Sequence, residues 1–497
     1  MSDRHFLAFD IGAESGRAIV GTISGGRIGL REIHRFPNAP IALFGRLHWD
    51  IYALLEEMKK GLAACASEVP SIESIAVDTW GVDFGLLAAD GSLLGLPFAY
   101  RDPRNIPAMQ AFLAKMPADR LYERTGIQLL PFNSLFQLQA LASHNAPLLK
   151  AADRLLFMPD LLTWFISGVA INEATIASTS QMIDPRTRDW AGDLLAFLGL
   201  PPSLVRRPIE PGNLVGSLLP GLARETGLRA VPVSATASHD TASAVAAVPA
   251  EGRRWAYISS GTWSLVGIET PAPLITERTR ALNFTNEGGV AGTVRFLKNV
   301  AGLWLVQRCR RLWDAQSPIG YDDLKRLAED APAFRAFVDP DAPEFLNPDD
   351  MPEAIRGYCR RTGQAPPDGQ GPIIRCVLES LALKYRAVLD DLASVSPEPI
   401  DKVHIIGGGS QNWVLNRFTA DATGRTVVAG PIEATALGNI LGQALALGCV
   451  GSLEEARSLA AASFRLETYE PRPSAGWDKA YDRFRGIVES GRKGEAS

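Results

Sequence analysis

Two stretches of the chain follow one plan. HFLAFDIGAESGRAIVGTI, starting at His5, reads as apolar strand, Gly-rich turn, apolar strand, and RRWAYISSGTWSLVGIET, starting at Arg253, repeats it with SSGT as the turn. A unit that opens each half of a chain constrains the fold strongly, because each copy must bury its apolar strands in a core of its own. The expectation is an α/β protein of two related domains, residues 1–246 and 247–497, with the boundary near Ala246. The length of 497 residues agrees, since single cores stop growing at about 250–300 residues.

Other segments fill in this frame. ESIAVDTWGVDFGLLAADGSLLG reads as two strands around a hairpin turn at Ala89, Asp90 and Gly91. Pro372 opens a helix in which Ile374, Val377, Leu378, Leu381, Tyr385, Val388, Leu389 and Leu392 recur at helical spacing. Residues 339–352 and 364–371, rich in Pro and Asp or Gly, read as loops.

Charge and cysteine usage exclude several function classes. A formal net charge of -5, with Lys and Arg scattered, argues against nucleic acid or an anionic membrane as partner. No run approaches the roughly 18 apolar residues of a membrane span, and the N-terminus lacks a signal-peptide core. Five cysteines without a CxxC and six dispersed histidines give no zinc pattern. A reduced, cytoplasmic enzyme is expected.

Four motifs carry candidate chemistry. In DIGAESGR, Asp10 ends a strand, and the turn with Gly12, Ser15 and Gly16 sets its carboxylate beside free backbone N–H groups. Such groups cradle phosphate, and the carboxylate can hold magnesium through water; a plain hairpin with a turn aspartate fits equally well. It is not a P-loop, because GxxxxGK[ST] is absent and the turn joins strand to strand. SSGTWS places the hydroxyls of Ser259, Ser260 and Thr262 around Gly261, a weak signal that gains weight as the counterpart of the first turn. In VHIIGGGSQNWVLNRFTADATG an apolar strand runs into Gly407, Gly408 and Gly409, with a helix expected from Ser410. Glycines admit a flat ligand closely and a helix N-terminus favours anions. A Rossmann loop looks similar, but no acidic residue ends a next strand about 20 residues on. A small-residue helix able to pack closely then opens at Glu433 and Ala434. The fourth motif is SHDTAS, whose Asp240 lies between small apolar flanks, where a carboxylate is costly unless it has a partner or a task. An isolated His-Asp pair is ordinarily a capping aspartate beside a surface histidine.

Taken in order, the Asp-Gly turn, the Ser-Gly-Thr turn, the GGG-x-Q-N loop and the PIEATALGN helix resemble the FGGY carbohydrate kinases. The similarity covers almost the whole chain, through LREIHRF, DTWGVDF, AYRD, LPFN, SHDTASAV, SSGTWSL, TNEGG, LKN-x-x-GLWL-x-QR and GGGSQN. The resemblance implies two actin-like, ribonuclease H-like ATPase domains with a catalytic cleft between them. It implies ATP and magnesium, with Asp240 as the base that accepts the proton of a sugar hydroxyl as the bond to phosphorus forms. By the same resemblance Ala13, Glu14, Ser15, Gly16, Arg17 and Thr262 hold the nucleotide phosphates, and Gln307 and Gly408 flank the nucleotide. Gly81, His239, Thr241 and Asn299 face the sugar together with Asp240, and Asp10 holds magnesium through water. Glu14 is a departure, adding negative charge where the family often carries a small Ser.

The acceptor so implied is L-rhamnulose at its 1-hydroxyl, a step of L-rhamnose catabolism. L-fuculose, xylulose or another ketose is the alternative, since a few hydroxyl contacts decide selectivity. A chaperone-type or cytoskeletal ATPase would need a peptide-binding domain or filament surface, for which no region remains, and a non-catalytic sensor would have lost Asp240. Partners are then a small ketose and ATP, the protein being a monomer or homodimer. Trp80 either stacks on sugar or fills the core. Asp78 and Asp83 have turn or strand-end roles, Cys309 packs, and Arg308, Arg310 and Arg311 form a solvated face. Cys359 and Cys376 lie on two helices joined by a Pro- and Gly-rich loop; antiparallel helices could bring them within disulfide reach, but they are expected to function reduced.

Overall fold

The computed structural model describes residues 3–144, 146–472 and 475–494. The chain packs as two compact units. The first takes in residues up to Glu251, Glu269–Leu297 and Glu433–Phe464; the second takes in Gly252–Ile268, Lys298–Ile432 and the chain from Arg465 onward. The first unit therefore draws on two segments from the later half of the sequence.

The sheet of the first unit runs Asn213–Ser217, Pro232–Ala235, Ser74–Thr79, Arg4–Ile11, Ser15–Ser24, Arg27–Pro37. Its centre is the strand Arg4–Ile11, antiparallel to Ser15–Ser24 and parallel to Ser74–Thr79. This strand is apolar almost throughout because both of its faces are covered. With side chains alternating, Leu7, Phe9 and Ile11 meet Leu54, Met58 and Leu62 of the helix Ile51–Glu68. Phe6 and Ala8 meet Leu437, Ile440 and Leu441 of the helix Ala434–Ala446.

In the second unit five strands of a seven-stranded sheet run in the order Trp263–Thr270, Trp255–Ser260, Lys402–Ile406, Thr426–Ala429, Glu467–Tyr469. Trp255–Ser260 is antiparallel to Trp263–Thr270 and parallel to Lys402–Ile406, which is parallel to Thr426–Ala429, and Glu467–Tyr469 closes the edge antiparallel. The order and directions are those of Ser15–Ser24, Arg4–Ile11, Ser74–Thr79, Pro232–Ala235 and Asn213–Ser217. The echo between the two openings thus belongs to a pattern that recurs over five strands in each unit.

Local expectations hold with shifts that have plain causes. The helix expected from Pro372 runs Gln370–Ala393 and buries all eight apolar positions named above. It starts earlier because Gly369, at φ 85, turns the chain into it, and Pro372 lies in the first turn where no N–H is needed. After the three glycines, Gly408–Gln411 forms a tight 3-10 turn, and the α-helix begins at Trp413 rather than Ser410 because Asn412 caps it by accepting from Leu415 N at 3.1 Å. The hairpin turn at Ala89 closes with Ala88 N donating to Ser92 O at 2.8 Å, but only Phe84–Leu87 before it is a full strand; Leu93 afterwards makes a single bridge to Leu87.

All five cysteines are free thiols, and the neighbouring Cys359 and Cys376 shift each other's titration, Cys359 down and Cys376 up. If the pair works reduced, a mild reductant leaves activity unchanged; loss of activity on reduction in a turnover assay would show that a disulfide is required. Among the described residues no helix is long and apolar enough to cross a membrane.

Candidate active site

In the first unit the carboxyl ends of Arg4–Ile11, Ser74–Thr79 and Pro232–Ala235 lie side by side, the place where open α/β sheets bind ligands. Asp10 and Asp78 are neighbours in register on the first two strands. Beyond the third, Thr79 N donates to Ser238 O at 2.9 Å and His239 forms a parallel bridge to Thr79. Asp240 then opens the helix Asp240–Ala246, so it stands at a helix head and not within a strand.

The Asp240 side chain is 31% exposed. Its Oδ1 accepts from Thr241 N at 2.5 Å and from the Thr241 hydroxyl at 3.1 Å. Thr241 is buried and orients this carboxylate. Burial, and then the charge of Asp10, push the Asp240 carboxyl up to about 6. His239 Nε2 lies 3.4 Å from Asp240 Oδ1. A Cβ on Gly81 would stand 3.3 Å from that Nε2, so glycine leaves the imidazole edge uncovered.

Asp10 and Asp78 are both buried. Arg17, opposite Asp10 on the hairpin, lies 3.1 Å from Asp10 Oδ2 and also pairs with Glu433. Burial raises the Asp10 carboxyl and Arg17 opposes the rise. Asp78 accepts from Asn439 Nδ2 at 2.6 Å, and burial followed by the charge of Asp10 holds its carboxyl well above the usual range. Among the described residues, Asp10 Oδ2 and Asp78 Oδ1 accept no hydrogen bond. Two buried carboxylates thus share one guanidinium, a deficit of positive charge that suits a divalent cation. No group of three or more His, Cys, Asp or Glu among the described residues forms a closed metal cage.

The turn beside them is closed by Gly12 N donating to Ser15 O at 2.9 Å, and it is tied down by Asn38, whose Nδ2 donates to Gly12 O at 2.8 Å. Ala13 and Ser15 are half-buried and Glu14 is exposed. Gly16 is glycine for packing, since a Cβ there would overlap the ring of Phe36.

The second unit holds its own group. Thr262 lies in the turn between Trp255–Ser260 and Trp263–Thr270, where Gly261 N donates to Trp263 O at 2.8 Å. Leu303 N and Trp304 N donate to the carbonyls of Gly261 and Thr262, fixing this turn to the head of the helix Trp304–Asp314, which carries Gln307. Among the described residues the buried Gln307 Oε1 has no hydrogen-bond partner. Because Ser259 pairs with Ile406, the Ser-Gly-Thr turn and the glycine loop meet. A Cβ on Gly407 would stand 3.1 Å from Ser260 O, and one on Gly409 would stand 2.8 Å from it, whereas Gly408 faces open space. Asn299 lies on the strand Val294–Ala301.

Sequence reasoning left other residues open or missed them. Trp80 fills the core: it is 5% exposed, its ring centroid is 4.3 Å from that of Trp49, and its Nε1 donates to Asp83 Oδ2 at 3.0 Å. Asp83 is a buried hub that also accepts from Trp49 Nε1 at 2.6 Å, Tyr100 N at 3.1 Å and Gln137 Nε2 at 2.8 Å. Burial pushes its carboxyl up to about 6. Arg308 and Arg310 donate to Pro348 O and Ile319 O, so they tie down neighbouring chain, while Arg311 is exposed and Cys309 is buried in packing. Glu173 was missed. It caps the helix Ala174–Ser178 and accepts from Ser238 Oγ at 2.5 Å, anchoring the approach to His239. Arg295 and Glu287, behind His239, were missed too, although a pair of opposite charges flanking GGVAGT is the pattern of facing residues on a hairpin.

Two units that repeat one strand order, with glycine turns in both and carboxylates at the strand ends of the first, define a two-domain α/β kinase fold. It is the fold of the ligand-bound xylulose kinase from Lactobacillus acidophilus, with a TM-score of 0.81 over 98% of both chains at 14% identity. It is also that of Plasmodium falciparum glycerol kinase with ADP, with a TM-score of 0.76 over 99% of this chain and 98% of that one at 14% identity. At such identities the likeness concerns the fold alone. Residues 5–247 match the N-terminal domain and residues 256–447 the C-terminal domain of the FGGY family of carbohydrate kinases. The chain belongs to this family. It is 49% identical over 485 residues to the rhamnulokinase of Bacteroides thetaiotaomicron, covering 98% of this chain and 99% of that protein. It is 42% identical over 473 residues to the rhamnulokinase of Enterococcus faecalis, covering 95% of each.

Proposed function

We propose that this kinase transfers the γ-phosphoryl group of ATP to the 1-hydroxyl of L-rhamnulose, giving L-rhamnulose 1-phosphate and ADP, as a step of L-rhamnose catabolism. Near full-length likeness to the rhamnulokinases carries the choice of sugar. Asp240 is the general base. Its Oδ1 is held by Thr241, which leaves Oδ2 for the sugar hydroxyl. The hydroxyl proton passes to Oδ2 as the oxygen–phosphorus bond forms, and leaves to solvent after the product. Gly81, His239, Thr241 and Asn299 face the sugar. Ala13, Glu14, Ser15, Gly16, Arg17 and Thr262 serve the phosphates, with Gln307 and Gly408 beside the nucleotide. Asp10, with Asp78 next to it, would hold magnesium through water, and the ion would supply positive charge to the β- and γ-phosphates. Free thiols throughout fit a reducing, cytoplasmic setting.

The test of the sugar is a panel of ketoses in a coupled ADP-release assay. L-rhamnulose is expected to give the highest kcat/KM; a higher value for another ketose would reassign the substrate and leave the kinase in place. The base makes its own prediction. Only the ionised carboxylate accepts a proton, so with Asp240 raised to about 6, kcat/KM should reach a plateau above that pH and fall about tenfold per unit below it. A profile that stays flat well below this point would remove Asp240 from the role.

A further inference from the structure

We infer that Arg295 is a positioning residue that fixes His239 as its neutral Nε2–H tautomer, so that the imidazole offers the sugar a hydrogen-bond donor and not an acceptor. The inference rests on the sugar site proposed above. Arg295 is completely buried and faces Glu287 across the hairpin of Thr285–Gly288 and Val294–Ala301. Its Nε donates to Gly288 O at 2.9 Å, and its Nη2 lies 3.1 Å from Glu287 Oε2 and 3.0 Å from His239 Nδ1.

The tautomer follows from donor arithmetic. A guanidinium has five N–H donors, no acceptor, and does not deprotonate in proteins. His239 Nδ1 at hydrogen-bond distance from it must therefore present a lone pair, and a neutral imidazole that accepts at Nδ1 carries its proton on Nε2. Glu287 is the competing partner, since Nδ1 could carry the proton and donate to it. Its Oε2 is 3.5 Å from Nδ1, farther than the 3.0 Å of Arg295 Nη2, and is itself engaged by that Nη2 at 3.1 Å, so Arg295 holds the position. Burial, together with the adjacent guanidinium, keeps the ring neutral.

The opposite edge of the ring is the working edge. Nε2 lies 3.4 Å from Asp240 Oδ1, beside the space that Gly81 leaves open. A sugar oxygen placed there receives the Nε2–H on a lone pair, which leaves that oxygen's own proton free to point elsewhere. An accepting imidazole would instead hold a sugar proton and compete with Asp240 for it. A ketose analogue with no oxygen at this place leaves the buried N–H unpaired and is rejected.

The decisive measurement is nitrogen NMR on the full chain labelled with 15N-histidine, with the His239 signals assigned by their loss in His239→Gln. The parent protein is expected to show Nε2 protonated and Nδ1 bare. Protonation at Nδ1, or at both nitrogens near neutral pH, overturns the inference, and neither reading depends on turnover or on which ketose is used. Kinetics give a second readout. His239→Gln places an amide N–H near the Nε2 position, whereas His239→Asn places it near Nδ1. The Asn variant is expected to fall about 10- to 100-fold below the Gln variant in kcat/KM, the size of one unpaired buried hydrogen-bonding group. Equal activity of the two sinks the donor role. Arg295→Lys, which keeps a donor, should retain the tautomer; if its Nδ1 is protonated, the positioning role of Arg295 fails. The ketose panel fails or succeeds separately from all of these outcomes.

Discussion

Asp240→Asn is expected to fold, to bind sugar, and to lose about 10²- to 10⁴-fold in kcat, the usual cost of removing a general base. Each tenfold is about 1.4 kcal/mol of barrier, so the loss corresponds to roughly 3 to 5 kcal/mol. Asn keeps an Oδ1 that accepts from Thr241 N and from the Thr241 hydroxyl. It replaces Oδ2 with an amide NH2, whose nitrogen cannot take a proton. Stability should move in the other direction. The folded-state carboxyl is raised to about 6, above its unfolded value, so the ionised form costs the fold. That cost is absent below the unfolded value and grows as pH rises through the folded one. The Asn variant should therefore melt at or above the parent temperature near neutral pH, with the gap closing on acidification. Asp10→Asn offers a contrast, because its defect should lie in magnesium–ATP use and ease as magnesium is added. Steady-state rates, calorimetric sugar binding and melting curves settle the matter. If kcat of a folded Asp240→Asn stays within a few-fold of the parent, Asp240 is not the base.

How much of this was legible in the sequence depends on the distance over which each feature is decided. The hairpins around Gly12 and Gly261 were legible, because apolar runs and a turn between them are local signals. So was the helix Gln370–Ala393, whose spacing runs over several turns. The recurrence of five strands was visible only at the two openings, since many different side chains satisfy the same alternation. The partners of buried charges were not legible. Glu173 reaches Ser238 across 65 positions, Arg295 reaches His239 across 56, and Asn439 reaches Asp78 across 361. In isolation each reads as an ordinary polar residue, because burial is decided by elements far off in the chain. Trp80 shows the same limit: an aromatic near a strand end fits a sugar platform and a core equally, and only the Trp49 ring and the Asp83 carboxylate decide for the core. The small residues of ATALGNILGQALA announced close packing without saying against what.

That close packing is the source of the second large effect. The helix Ala434–Ala446 packs against Asp240–Ala246, and a Cβ on Gly438 would overlap the backbone carbonyl of Ser243. One turn on, a Cβ on Gly442 would stand 3.2 Å from Thr236 Cβ. The helix cannot easily back away. Asn439 Nδ2 donates to Asp78 Oδ2 at 2.6 Å, Gln443 Nε2 donates to Leu7 O at 3.0 Å, and the Thr236 hydroxyl donates to Asn439 O at 3.1 Å. In an open helix, Gly→Ala gains about 1 kcal/mol. At Gly438 the overlap is with backbone, which has no rotamer to escape into, so overpacking of about 1–3 kcal/mol or more should reverse the sign. Gly438→Val should cost more than Gly438→Ala. Activity should fall as well, because Ser243 N donates to His239 O at 3.0 Å within the same short helix that Asp240 opens. A shift of Ser243 therefore moves the head of that helix and misplaces the base without changing it. Gly486 supplies the control: it is exposed on the helix Ala475–Gly494 with nothing within 4 Å of its Cβ position. Gly486→Ala should raise the melting temperature, while Gly438→Ala should lower both melting temperature and kcat. A Gly438→Ala variant that melts at or above the parent with full kcat would show that the contact with Ser243 is not what requires glycine there.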